Sequence, residues 1–159
     1  MPDFQVKKLT IGLWHVATVV FVAEKKSLAL SVNGIIGNSV ADSNRGKQRQ
    51  VDWKKNIATN VKERRGPTAW EASGHYAISI GFSFCMKEHG NQPLDVENFL
   101  KPTIDALAAG LFCSNEQDIA KIEQYNYDDS GFRHLFVHRL DDTADASAEG
   151  IGIYVSLLH

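Results

Sequence analysis

Three side chains near the middle of the chain could do hydrolytic chemistry together. Asp95, Glu97 and Lys101 fall within Pro93-Leu-Asp-Val-Glu-Asn-Phe-Leu-Lys101, and Asp105, Glu116 and Asp118 follow. If 93–96 is extended, Asp95 and Glu97 point to one side, being two residues apart on a strand. If Glu97 opens a helix, Lys101 and Asp105 share its face at i+4 and i+8. Either arrangement gathers two carboxylates and an ammonium group at a helix N-terminus, and the turn after the helix would return Glu116 there. Clustered carboxylates can hold a divalent cation that activates water, while a lysine offsets charge developing on a phosphate. Oxygen donors without His or Cys suit Mg²⁺ or Mn²⁺ better than zinc. A structural reading fits the same spacing. Acidic residues favour first helical turns, and Glu97–Lys101 is an ordinary i,i+4 pair.

The charge distribution offers a partner for such a site. Although the formal net charge is −2, eight Lys/Arg crowd between Arg45 and Arg65, at 45, 47, 49, 54, 55, 62, 64 and 65. Only five of the 17 basic residues lie beyond residue 66, against 14 of the 19 acidic ones. One region is equipped to hold phosphates and another to hold metal ions. Two solvated faces of opposite sign would give the same pattern.

The elements that must position these groups make up one domain of 159 residues, enough chain for a hydrophobic core. Residues 9–23 are rich in β-branched and aromatic types and read as strand, with a bend at Gly12. Glu24–Ser27 reads as a turn, Leu28–Val32 as a short strand, and Asn33-Gly34 as a tight turn. Residues 36–48 read as a polar, positively charged mobile loop. Helical spacing at Val51, Ile57 and Val61 ends before Gly66-Pro67. His75–Cys85 alternates as a strand, and Asn98–Leu111 is the clearest helix, with Pro102 in its first turn. Ile119–Tyr127 and Phe132–Leu140 read as paired strands across Asp128–Gly131. An acidic, disordered-looking loop at 141–149 precedes a last strand, Ile151–Leu157. Strands and helices mix without regular alternation, which predicts an α+β fold: a mixed sheet packed by two main helices.

Other features argue for a plain soluble chain. The apolar run Ile11–Ala23 contains His15 and is too short to span a bilayer. It lacks a secretory layout, since Pro2 and Asp3 lead and Lys25 and Lys26 follow. Cys85 and Cys113 have no metal-site spacing, so free thiols and a cytoplasmic location are expected. His134 and His138 would share a strand face as ordinary surface histidines.

The stretch Asp95-x-Glu97-Asn98-x-x-Lys101-Pro-x-x-Asp105-Ala-Leu resembles the signature of the RusA family of Holliday junction resolvases. There an Asp-x-Asp-Asn-x-x-Lys motif opens a helix continuing into Asp-Ala-Leu. A second acidic pair then precedes the Ile or Val of a following strand, and Asn115-Glu116-Gln-Asp-Ile119 occupies that place here. More weakly, the resemblance extends over 28–157. A short strand ending at Asn33, a basic loop, a basic helix and a strand at Ala77–Phe84 follow the family's order. Residues 1–27 have no counterpart and would be an N-terminal strand extension to a RusA-like nuclease domain at 28–159.

The resemblance implies a homodimeric, Mg²⁺-dependent endonuclease (Mn²⁺ also serving) that resolves four-way DNA junctions in recombination and repair. It makes Asp95, Glu97 and Glu116 the metal-binding carboxylates and Lys101 the assisting cation. Asn98 and Asp118 would support them, and Asp105 would be structural. Arg45, Lys47, Arg49, Lys54 and Lys55 would contact phosphates. Two departures from the family pattern stand out: Glu97 replaces Asp, and the pair Asn115-Glu116 replaces Asp-Asp. Each Glu keeps its charge but carries the carboxylate outward by about one C–C bond. Two other readings therefore remain open, an inactive branched-DNA-binding module of this fold and a protein-interaction domain without a nucleic-acid role.

Overall fold

The computed structural model describes residues 4–11, 14–21, 26–91, 93–114 and 129–158, with 4–11 and 14–21 described as backbone alone. The expected strand at 9–23 is instead two: β1 (Phe4–Ile11) and β2 (Trp14–Phe21) pair antiparallel, with Ile11 opposite Trp14. Apolar residues on both sides of the reversal hid it from the periodicity. Gly12 and the turn expected at 24–27 fall at or beyond the edge of the described residues, apart from Lys26 and Ser27.

The main sheet has four strands in the order β3 (Ser27–Asn33), β6 (Gly150–Leu157), β4 (Tyr76–Ser83), β5 (Phe132–Arg139). β6 runs antiparallel to both of its neighbours, whereas β4 and β5 run parallel, so the sheet is mixed. Its register lines up apolar rows across three strands: Val32–Ile151–Phe82, Leu30–Ile153–Ile80 and Leu28–Val155–Ile78. These rows share one core with Trp53, Ile57 and Val61 of α1 (Asn44–Arg65) and with Ile104, Leu107 and Leu111 of α2 (Glu97–Phe112). The fold is α+β, one four-stranded mixed sheet with two helices. Among the described residues no helix is long and apolar enough to cross a membrane.

Three local expectations are corrected. The polar stretch 36–48 is not loop throughout. Ser43 caps α1 by accepting the Gly46 N–H at 3.0 Å, so Arg45 and Lys47 ride on its first turn. Residues 141–149 are ordered. Asp145 accepts the Ser147 N–H at the start of a short 3-10 turn, and Glu149 is fully buried. Pro102 lies sixth in α2 rather than in its first turn, because the helix opens at Glu97. The strand expected at Ile119–Tyr127 lies outside the described residues, and β5 finds a partner in β4.

The two helices run parallel, as their contacts advance together. Trp53 Nε1 donates to Thr103 Oγ1, Lys54 reaches Asp105, and Arg65 donates to the carbonyls of Gly110 and Cys113. A Cβ on Gly110 would lie 2.7 Å from Val61 Cβ, so glycine sets how closely the helices approach.

Candidate functional site

Parallel packing puts the basic opening of α1 and the acidic opening of α2 at the same end of the helix layer. A backbone bond ties the two openings together: Ser39, five residues ahead of α1, donates its N–H to the carbonyl of Asn98 at 2.8 Å. Asp95 and Glu97 both stand exposed at the start of α2, where the helix dipole favours negative charge. Asp95 also shapes that start, its Oδ1 accepting the Glu97 N–H and its carbonyl accepting the Asn98 N–H. The carboxylate thus holds the turn that leads into the helix, whatever else it binds.

The structural reading of the sequence expects a Glu97–Lys101 pair, and the structure shows another arrangement. Lys101 Nζ donates to Asp105 Oδ1 at 2.7 Å and to Asp129 Oδ2 at 3.3 Å. On the far side, Lys54 Nζ lies 3.7 Å from Asp105 Oδ2. Asp105 therefore joins a lysine of α1 to a lysine of its own helix while itself only 3% exposed. Removing one partner of such a buried pair costs about 3–5 kcal/mol. Lys101 is the outward member, its side chain 54% exposed. Its ammonium pKa is raised above the usual 10.5, first by the hydrogen bond to Asp105, with partial burial opposing and the Asp105 and Asp129 charges adding.

The five basic residues expected at phosphates do not behave alike. Arg45, Lys47 and Lys55 are exposed. Arg49 is occupied, its guanidinium donating to Glu88 Oε2 at 2.7 Å and to the Glu88 carbonyl at 2.9 Å. Lys54 is buried against Asp105, which removes it from the surface that a phosphate would meet. Lys47 precedes Lys54 by seven residues and shares its helix face, which places it nearer the α2 opening. A cleft of about 250 Å³ lies beside this helix, lined by Gly34, Ile35, Arg49, Asp52, Trp53 and Asn56, and does not include the acidic opening.

Glu116 and Asp118 lie outside the described residues. Among the described residues no three His, Cys, Asp or Glu side chains form a group able to hold a metal ion. The donor chemistry of Asp95 and Glu97 nonetheless fits Mg²⁺, which keeps several waters and binds through one or two carboxylates plus substrate phosphate. His134 and His138 are exposed on β5, as expected of surface histidines.

Sequence reasoning missed two carboxylates. Asp129 reads as turn and carries no signal that it would meet Lys101. Glu149 reads as part of a solvated acidic loop, yet its Oε1 accepts the Ile36 N–H and lies 2.7 Å from His89 Nε2, and its Oε2 accepts the Cys85 N–H. One side chain thereby anchors the segment entering the basic helix and the segment leaving β4. The His89 ring packs edge-on against Phe84 and Phe99, and Phe99 belongs to the first turn of α2.

Neither a known protein family nor a curated protein matches this chain.

Proposed function

We propose that the chain is a metal-dependent endonuclease of RusA type that cuts branched DNA by hydrolysing a backbone phosphodiester. One observation carries the reading: the parallel helices bring the exposed Arg45 and Lys47 to the same end as Asp95 and Glu97. Cationic side chains there would hold the phosphate backbone. The two carboxylates would bind Mg²⁺ or Mn²⁺, which supplies the activated water. Lys101, a firmly protonated group one turn into α2, would offset the charge that grows on the phosphate during attack. Glu116 would complete the ligand set, with Asn98 and Asp118 in support. A homodimer would present two such sites to opposing strands of a four-way junction.

The test is cleavage of a labelled four-way junction by purified protein, with Mg²⁺ or with EDTA. The reading expects paired nicks with Mg²⁺ and intact, bound junctions with EDTA. Equal binding in both conditions with no nick in either would replace it with an inactive DNA-binding module. No affinity for junctions at all would leave only the protein-interaction reading.

A further inference from the structure

We propose that Asp105, gripped from the neighbouring helix by Lys54, is the positioning residue that holds Lys101 in place for the chemistry at the α2 opening. This rests on the endonuclease reading and assigns roles to two residues that the sequence motif implied were scaffold and phosphate contact. Lysine is a point charge on a flexible four-carbon stem, so an exposed lysine samples many places unless something fixes it. Here the fixing group is a buried carboxylate at 2.7 Å, one helical turn along the same face. Asp129, its other partner, is 3.3 Å away and 44% exposed, which makes it the looser contact and the one an incoming phosphate can replace.

Lys54 explains why Asp105 can do this from inside the core. A buried carboxylate facing a single half-exposed ammonium would be poorly compensated. The second ammonium, at 3.7 Å on the opposite oxygen, balances it from the α1 side. The trio carries one net positive charge, and the member nearest solvent is Lys101. The Asp105 hydrogen bond at 2.7 Å fixes the ammonium group in place and favours its charged form. The α1 helix that would meet the DNA backbone therefore also sets the position of the cation at the cut.

Three variants of the full chain test this: Asp105→Asn, Asp105→Glu, and Asp105→Asn combined with Lys54→Met. The double variant removes the cation that the single one strands, so the question survives if Asp105→Asn alone fails to fold. Two readouts are needed, junction cleavage kinetics with Mg²⁺ and the titration midpoint of Lys101 by lysine side-chain NMR. Loss of the carboxylate in either background should lower kcat by about 10- to 100-fold while KM stays within about threefold. It should also lower the Lys101 midpoint, because the hydrogen bond that does most to raise it is gone. Asp105→Glu should regain part of both. Wild-type kcat, or an unmoved Lys101 midpoint, in a folded carboxylate-free variant overturns the proposal. If the wild-type protein never cuts, the endonuclease reading falls by itself. The Lys101 midpoint then still decides whether Asp105 holds that lysine.

Discussion

The backbone N–H of Ser39 bonds to the carbonyl of Asn98, and Pro102 is what leaves that carbonyl free to accept it. In a regular α-helix the Asn98 carbonyl would take the N–H of residue 102, and proline has none. A residue that usually breaks helices here turns an internal acceptor outward. The segment leading into the basic helix uses it to dock on the acidic one.

Replacing Pro102 by Ala restores a competing donor. In Pro102→Ala the new amide at residue 102 should be protected from hydrogen exchange, while that of Ser39 should exchange about tenfold faster or more. Unchanged Ser39 protection would mean that the docking does not depend on the proline.

Glu149 ties the same region from the other side. In Glu149→Ala two buried donors, the N–H groups of Ile36 and Cys85, lose their acceptor. At about 1–3 kcal/mol for each stranded group, urea unfolding should register a loss of about 2–6 kcal/mol. A loss below about 1 kcal/mol would contradict the anchoring role.

Salt dependence separates the basic residues that face outward from the one that is buried. Each phosphate contact adds about 0.9 to the slope of log K against log salt for duplex DNA. Arg45→Gln with Lys47→Gln should therefore reduce the magnitude of the slope for junction binding by about 1.8. Lys54→Met should leave the slope unchanged and lower the melting temperature instead, because its charge is spent on Asp105. A fall in slope for Lys54→Met would show that this lysine reaches DNA after all.

At the proposed site itself, Asp95→Asn and Lys101→Ala should each lower junction cleavage by at least about 100-fold while changing junction affinity by less than about threefold. Gel-shift titrations beside the cleavage assay give both numbers. Cleavage at the wild-type rate by either variant would remove the site from the α2 opening.

Local pattern settled much of this protein. The spacing of Leu100, Ile104, Leu107 and Leu111 places α2, the alternation through Ile78, Ile80 and Phe82 places β4, and the motif Asp95 to Asp105 marks the helix opening as the candidate site. The clustering of basic residues before Gly66 is likewise plain in the sequence. These features depend on neighbours three or four residues away, or two along a strand, so periodicity reveals them. The boundary errors came from competing local signals: the polar run 36–48 concealed the Ser43 cap, and the apolar run 9–23 concealed a reversal.

Which charges face one another was decided only by the tertiary structure. Nothing in the local pattern around Lys54 says that it leaves the surface for Asp105, 51 positions later, or that Lys101 turns to Asp105 and Asp129 instead of Glu97. Glu149 looks like one more acid in a solvated loop until the sheet order brings Ile36, Cys85 and His89 around it. An ion pair depends on distance in space and on the water excluded around it, and both are set by how α1 and α2 lie together on the sheet. The sequence names the groups that could act. The parallel packing of two helices determines which of them meet.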